Sequence, residues 1–244
     1  MSVAPLEETI YGYKRPGNSQ FVIVAPHAGG DDRKTGVLAR QIAKRLDASV
    51  VVNKKYFKAT NQKAQDNPEF IEDFNKLSWS NKHSHYIWRR KKPAMKAFFQ
   101  DIISYSKLAK KQSLENKAIV VYIHGIRDES IGLDLGVGLR AKKDSNRFHG
   151  SSRSDYYSTG VPTIRIRYIK DLKNSLMKRL PAPWQLSIGG RFPAWSKRAA
   201  IQFHKHRGRD DYALQLEINH LLKNNKEKRI FITRLISKSL KEVF

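Results

Sequence analysis

Two stretches of this chain are apolar at every position: Phe21-Val22-Ile23-Val24-Ala25 and Ala118-Ile119-Val120-Val121-Tyr122-Ile123. A strand with one face in water alternates apolar and polar residues, so an unbroken apolar run marks a strand covered on both faces. The cover has to come from helices, and the sequence supplies them between its strands. Thr35 opens a helical stretch through Val37, Leu38, Ile42 and Leu46, and Ser49–Val52 follows as a short strand. Met95, Phe98, Phe99, Ile102 and Ile103 recur at helical spacing and predict an amphipathic helix over 94–111. Leu133–Gly138 reads as one more strand. Ile164, Ile166 and Tyr168 alternate with Arg165 and Arg167, which predicts a half-exposed strand with a basic face. Leu214, Leu216 and Ile218 alternate with Gln215, Glu217 and Asn219 in a strand that turns into a helix, and a last helix covers 229–242. The expected fold class is α/β, a mixed and largely parallel central sheet with helices on both faces. No repeat, low-complexity tract or linker divides the chain, so one domain is expected over residues 1–244.

Composition narrows the chemistry. The chain has no cysteine, so any metal must be held by His, Asp or Glu. No apolar run approaches the ~20 residues that a membrane span needs. The N-terminus lacks a secretory pattern, and a cytoplasmic location is expected. The charge is unusual, with 47 Lys and Arg against 22 Asp and Glu, a net of +25. Residues 81–118 carry 10 basic and 2 acidic side chains, and residues 163–209 carry 12 and 1. Such a field attracts polyanions, whether nucleic acid, an anionic surface or an acidic polymer.

Both buried strands run into a histidine, His27 in Pro26-His27-Ala28-Gly29-Gly30 and His124 in His124-Gly125. Active groups of α/β sheets gather beyond the carboxyl ends of strands. Asp32 lies five residues after His27, with Asp31 beside it. A carboxylate this close in a glycine-rich turn can share a metal ion with His27, and His124 is the candidate third ligand. Three N/O ligands with one position left for water is the pattern of a catalytic zinc. The pairs His83/His85 and His204/His206 sit among lysines and arginines that disfavour a cation. No Gly-x-Ser-x-Gly nucleophile motif and no glycine-rich nucleotide fingerprint is present.

The run PHAGGDDRKTG, then DFNK (Asp73–Lys76), VYIHG (Val121–Gly125), GGR (Gly189–Arg191) and LQLEINHLL (Leu214–Leu222) resembles the N-formylglutamate amidohydrolases. It is also similar to the phage poly-γ-glutamate hydrolases, which share the five-residue His-to-carboxylate interval. Both have the zinc carboxypeptidase-like fold. The resemblance implies that His27, Asp32 and His124 hold Zn²⁺ and that Glu217 is the general base. It also implies that Asn75 and Lys76 take the place of the family's Asn-Arg pair, which grips the substrate carboxylate. Lys offers a point charge where Arg offers a planar fork, so the substrate itself is left open. Asp stands where these families commonly use Glu, which keeps Asp31 as an alternative ligand. Arg191, after two glycines, is a second candidate anion clamp. The implied function is zinc-dependent hydrolysis of an amide in a carboxylate-bearing substrate, of N-formyl, N-acyl or γ-glutamyl type. The alternative is a basic nucleic-acid- or polyanion-binding protein on a hydrolase-like fold.

Overall fold

A computed structural model of the chain describes residues 4–30, 32–89, 91–142, 152–157, 160–205 and 210–244. The elements, in chain order, are β1 (Glu7–Glu8), β2 (Gly12–Arg15), β3 (Phe21–Ala25), α1 (Thr35–Leu46), β4 (Ser49–Asn53), β5 (Trp79–Ser80), β6 (His85–Tyr86), α2 (Pro93–Lys110), β7 (Ile119–Ile126), β8 (Ile131–Gly136), α3 (Ile166–Met177), β9 (Gln185–Ile188), β10 (Tyr212–Asn219), α4 (His220–Asn224) and α5 (Lys226–Val243). One eight-stranded sheet runs in the order β1-β2-β4-β3-β7-β10-β8-β9, and β5 and β6 form a separate small hairpin. The four central strands β4, β3, β7 and β10 are parallel. β2 and β8 join their flanks antiparallel. This is the mixed, largely parallel sheet that the apolar runs predict.

Alternation along each strand divides the core into two layers. Ile23, Val121, Ile123, Leu214 and Leu216 face α1, α3 and α5. Val22, Val24, Val120 and Tyr122 face α2 through Phe98, Phe99 and Ile102. All five residues of β3 are buried, as its unbroken apolar sequence requires. Each fully buried Ile or Leu of this kind contributes roughly 1.5–3 kcal/mol. The helix ends follow local chemistry. Pro93 opens α2, where a missing N–H does no harm. The Asn225 side chain accepts the Lys228 N–H at the start of α5.

One expected element is different. Residues 164–168 are not a basic-faced strand: Ile164 is buried ahead of α3, and Ile166 and Tyr168 lie in its first turn. The competing helical spacing wins because it buries more. Ile169, Leu172 and Leu176 all reach the core from one helix face, whereas a strand would have left that stripe without a partner.

Candidate metal centre

The carboxyl ends of β3, β7 and β10 converge, and the site residues come from those three places. His27 follows β3 in a turn closed by the Asp32 N–H donating to the His27 carbonyl at 3.1 Å. This bond turns a five-residue interval into a tight loop that brings both side chains to one point. Asn53, fully buried at the end of β4, donates from its side-chain amide to the carbonyls of Pro26 and Tyr56 and so clasps that loop. His124 lies inside β7, which continues past it to Ile126. Glu217 on β10 pairs in register with His124 on one side and with Asp134 on the other.

His27, Asp32 and His124 each place a ligand atom within 4.8 Å of the others. Both imidazoles aim Nδ1 at the same carboxylate oxygen: Asp32 Oδ2 is 3.5 Å from His27 Nδ1 and 3.2 Å from His124 Nδ1. His27 Nε2 donates to Asp73 Oδ1 at 2.8 Å, and that oxygen also accepts the Asn75 N–H at 2.9 Å. The bond to Asp73 fixes the tautomer. With one proton on Nε2, the buried His27 Nδ1 has no hydrogen-bond partner and faces the lone pairs of Asp32, the place for a second proton or a metal ion. Burial opposes a charge on this imidazole, but Asp32 and Asp73 outweigh it and raise its pKa. Two converging lone pairs repel unless a cation lies between them, and a carboxylate behind a ligating imidazole is the usual outer support of such a cation. The donor set therefore fits a metal ion, and without thiolate it suits zinc.

The electrostatics are those of a desolvated cluster. Burial pulls the His124 imidazole down to about 4, keeping it neutral, with the charge on His27 acting in the same direction. Burial opposes the charge on Asp32, but the two imidazoles outweigh it and hold its carboxyl far below the usual range. Asp73 is held at about 2 by His27 and the Asn75 N–H, also against its burial. Burial, and then the charge on Asp32, push Glu217 well above an ordinary glutamate. The Gln215 amide donates to one oxygen of Glu217. A buried carboxyl with a raised pKa beside a metal-ligand cluster has the character of a proton-transfer group.

The structure separates the remaining candidates. Asn75 stands next to the site through its bond to Asp73, while Lys76 is exposed in a bridge to Ala199. Arg191 is occupied: its guanidinium pairs with Asp128 at 2.9 Å, with 63% of the side chain in solvent. The glycines before it serve the turn. Gly189 has φ +60° and packs on the Leu139 carbonyl; the loop then offers the amides of Gly190, Arg191 and Phe192 to the buried Asp134 carboxylate. His83 and His85 stand in the β5–β6 hairpin with ring centres 5.6 Å apart. His204 is buried at 3.0 Å from the Tyr122 hydroxyl, and His206 and Asp31 lie outside the described residues. Asp73, which the sequence offers in the DFNK motif and as a substitute base, acts here as the partner of His27. Sequence reading missed two further groups. Lys58 is a cation whose field acts on His27, Asp73, His124 and Glu217. Lys223, on α4, borders the site.

The arrangement is that of the zinc carboxypeptidase-like α/β fold, with a cluster of two histidines and one carboxylate at the carboxyl edge of its parallel strands. Solved structures with this fold include gene product Atu2144 from Agrobacterium tumefaciens, with TM-score 0.52, 12% identity, and 93% of this chain and 92% of that one covered. They also include the zinc-free form of YNDL (TM-score 0.52, 13% identity, 95% and 89% covered). A metallo-carboxypeptidase from Burkholderia cenocepacia matches at TM-score 0.50 and 10% identity, over 97% of this chain and 63% of that chain. No family model and no curated protein matches the chain in sequence. No helix among the described residues is long and apolar enough to cross a membrane.

Proposed function

We propose that this chain is a metal-dependent hydrolase that cleaves an amide bond in a carboxylate-bearing substrate, with zinc held by His27, Asp32 and His124. The observation that carries this reading is the convergence of two imidazole Nδ1 atoms on one Asp32 oxygen, with Glu217 in register beside them. When bound, the ion supplies Lewis acidity, lowering the pKa of water to about 7 and polarising the amide carbonyl. Glu217 then takes a proton from the attacking water. The water oxygen bonds to the amide carbon, the C–N bond breaks, and the proton passes from Glu217 to the departing nitrogen. Asp73 holds His27 in the ligating tautomer. The burial of Glu217 keeps bulk water from competing for that proton. N-formyl, N-acyl and γ-glutamyl amides are the substrate types implied by the motifs, and a cytoplasmic enzyme fits the composition. Metal analysis tests the reading. We expect about one zinc per chain and its loss in both His27→Ala and His124→Ala; unchanged metal in either variant removes that residue from the site.

A second reading, binding of nucleic acid or another polyanion, is favoured by the exposed cations of one segment. Arg165 and Arg167 keep half or more of their side chains in solvent while bracketing the Glu115, Tyr168 and Tyr212 cluster. We expect retention on heparin at low salt and a steep loss of affinity as salt rises. No retention at low salt would show that the charge is internally matched.

A further inference from the structure

A cleft of about 1200 Å³ reaches the cluster at Asp32, and Asp32, Gly125 and Lys223 line it together with Arg33, Lys63 and Arg127. Four of these six residues are cationic. Arg33, Lys63 and Arg127 are exposed, so water and salt screen them. Lys223 is different. It is only 6% exposed, and a Cβ on Gly125 would overlap its Nζ while standing 3.5 Å from Asp32 Oδ1. The ammonium therefore lies over the one residue next to His124 that lacks a side chain, close to the carboxylate that His27 and His124 share. The charge of Asp32 acts on it, yet it forms no ion pair among the described residues.

A desolvated ammonium without a partner is unfavourable for folding, and here the backbone holds it in place. The Asn219 side chain caps α4 by accepting the Leu221 N–H, and its amide donates to the carbonyls of Asp128 and Ile131. Arg229 donates to the Lys223 carbonyl at 2.9 Å. The fold thus fixes a buried cation that Asp32 attracts but does not pair with. We propose that Lys223 is the subsite for the substrate's carboxylate, recognising a carboxylate borne on the carbon attached to the amide nitrogen. Its place over Gly125, directly after His124, limits its reach to a charge within a few bonds of the amide under attack. Lys76 and Arg191 do not meet these conditions, since one is exposed and the other is paired with Asp128. The low dielectric around Lys223 strengthens its attraction for a carboxylate over that of the exposed cations.

This assignment rests on the hydrolase reading for the identity of the bound group, and the test separates the two. N-formyl-L-glutamate and N-formyl-L-isoglutamine differ only in the α-carboxylate, which is an amide in the second. Calorimetric titration of both into zinc-loaded Glu217→Gln protein measures the preference without consuming the ligand. We expect a preference of about tenfold or more for the carboxylate. Adding Lys223→Met should abolish it, Lys223→Arg should keep part of it, and Lys76→Ala or Arg191→Ala should leave it unchanged. Lys223→Met should melt at or above its parent, because it removes a desolvated charge; Lys223→Gln serves as the second variant should Met disturb packing. A preference that survives loss of the ammonium, or a parent without any preference, overturns the assignment. If the wild type hydrolyses both formyl compounds equally, the subsite is wrong and the hydrolase reading stands. If zinc-loaded wild type hydrolyses neither while a Lys223-dependent preference remains, the hydrolase reading falls and the subsite stands.

Discussion

The same face of the sheet carries two buried histidine–aspartate groups, and they are built in opposite ways. At the carboxyl edge, His27 and His124 converge on Asp32, and Lys223 and Glu217 are buried beside them with no ion pair among the described residues. Toward the other end, Tyr122 meets His204 at 3.0 Å, Asp211 lies 3.8 Å from His204, and Lys110 closes the chain on Asp211 at 3.0 Å. Asp211 also accepts the Ala118 N–H. The second group ends in a cation of the protein itself, Lys110. In the first, two imidazoles and a carboxylate meet at one point instead. Residue type does not distinguish them; the matching of donors, acceptors and charges does.

The contrast can be broken most forcefully at Glu217. Glu217→Gln keeps the volume and the ability to hydrogen-bond with Gln215 but cannot accept a proton, so amide turnover should fall by ~10²–10⁴ with zinc retained. Turnover near the wild-type rate in a zinc-loaded variant would release Glu217 from that role, and Asp73 would become the candidate base. The two aspartates give the next largest effect. Asp73→Asn should weaken metal affinity by about 10–100-fold, because it removes the support behind a ligating imidazole. Asp211→Asn should leave metal uptake alone and instead lower stability by about 1–3 kcal/mol. Equal metal affinity in the Asp73 variant and the wild type would place Asp73 outside the site.

Proton linkage gives the smallest effect, with opposite signs at the two ends. The folded metal-free chain holds a proton on Glu217 that the unfolded chain releases above the ordinary 4.5. Its contribution to stability is complete below that value and is lost as pH rises through the raised folded value. Asp211 is shifted the other way: burial opposes its charge, but His204 and Lys110 outweigh burial and lower it from 3.8. Its contribution is present above 3.8 and is lost as pH falls through the folded value. Denaturant unfolding of the metal-free protein between pH 3 and 8 should therefore show Glu217→Gln gaining on the wild type toward high pH, while Asp211→Asn loses its deficit toward low pH. Parallel curves for all three proteins would mean that neither carboxyl is shifted by its surroundings.

The sequence made the parallel core legible because a fully apolar strand has few alternatives, and the positions after it are where α/β sheets place their chemistry. His27, Asp32 and His124 lie together at the end of that core, with Glu217 paired to His124. Asp73 and Lys223 were harder to see for different reasons. Asp73 reaches His27 across 46 positions of sequence, and a loop carboxylate carries no periodicity to say where it will land. Lys223 is one of 47 basic residues, and only burial sets it apart. The strand expected at 164–168 came from five alternating residues, too short a window to compete with a helical stripe that extends to Leu176.

The turn that joins His27 to Asp32 is local, but His124 arrives from a strand laid down almost a hundred residues later. The cluster is thus assembled by parallel pairing of β3 and β7, a contact of long sequence separation that forms slowly and only with the sheet. A zinc finger draws its ligands from one short stretch of chain and needs the ion in order to fold. On the function proposed above, an ion here would have no binding place until the sheet is complete and would join a finished protein. Its effect on stability would then follow mass action, growing with the logarithm of free metal once the dissociation constant is exceeded.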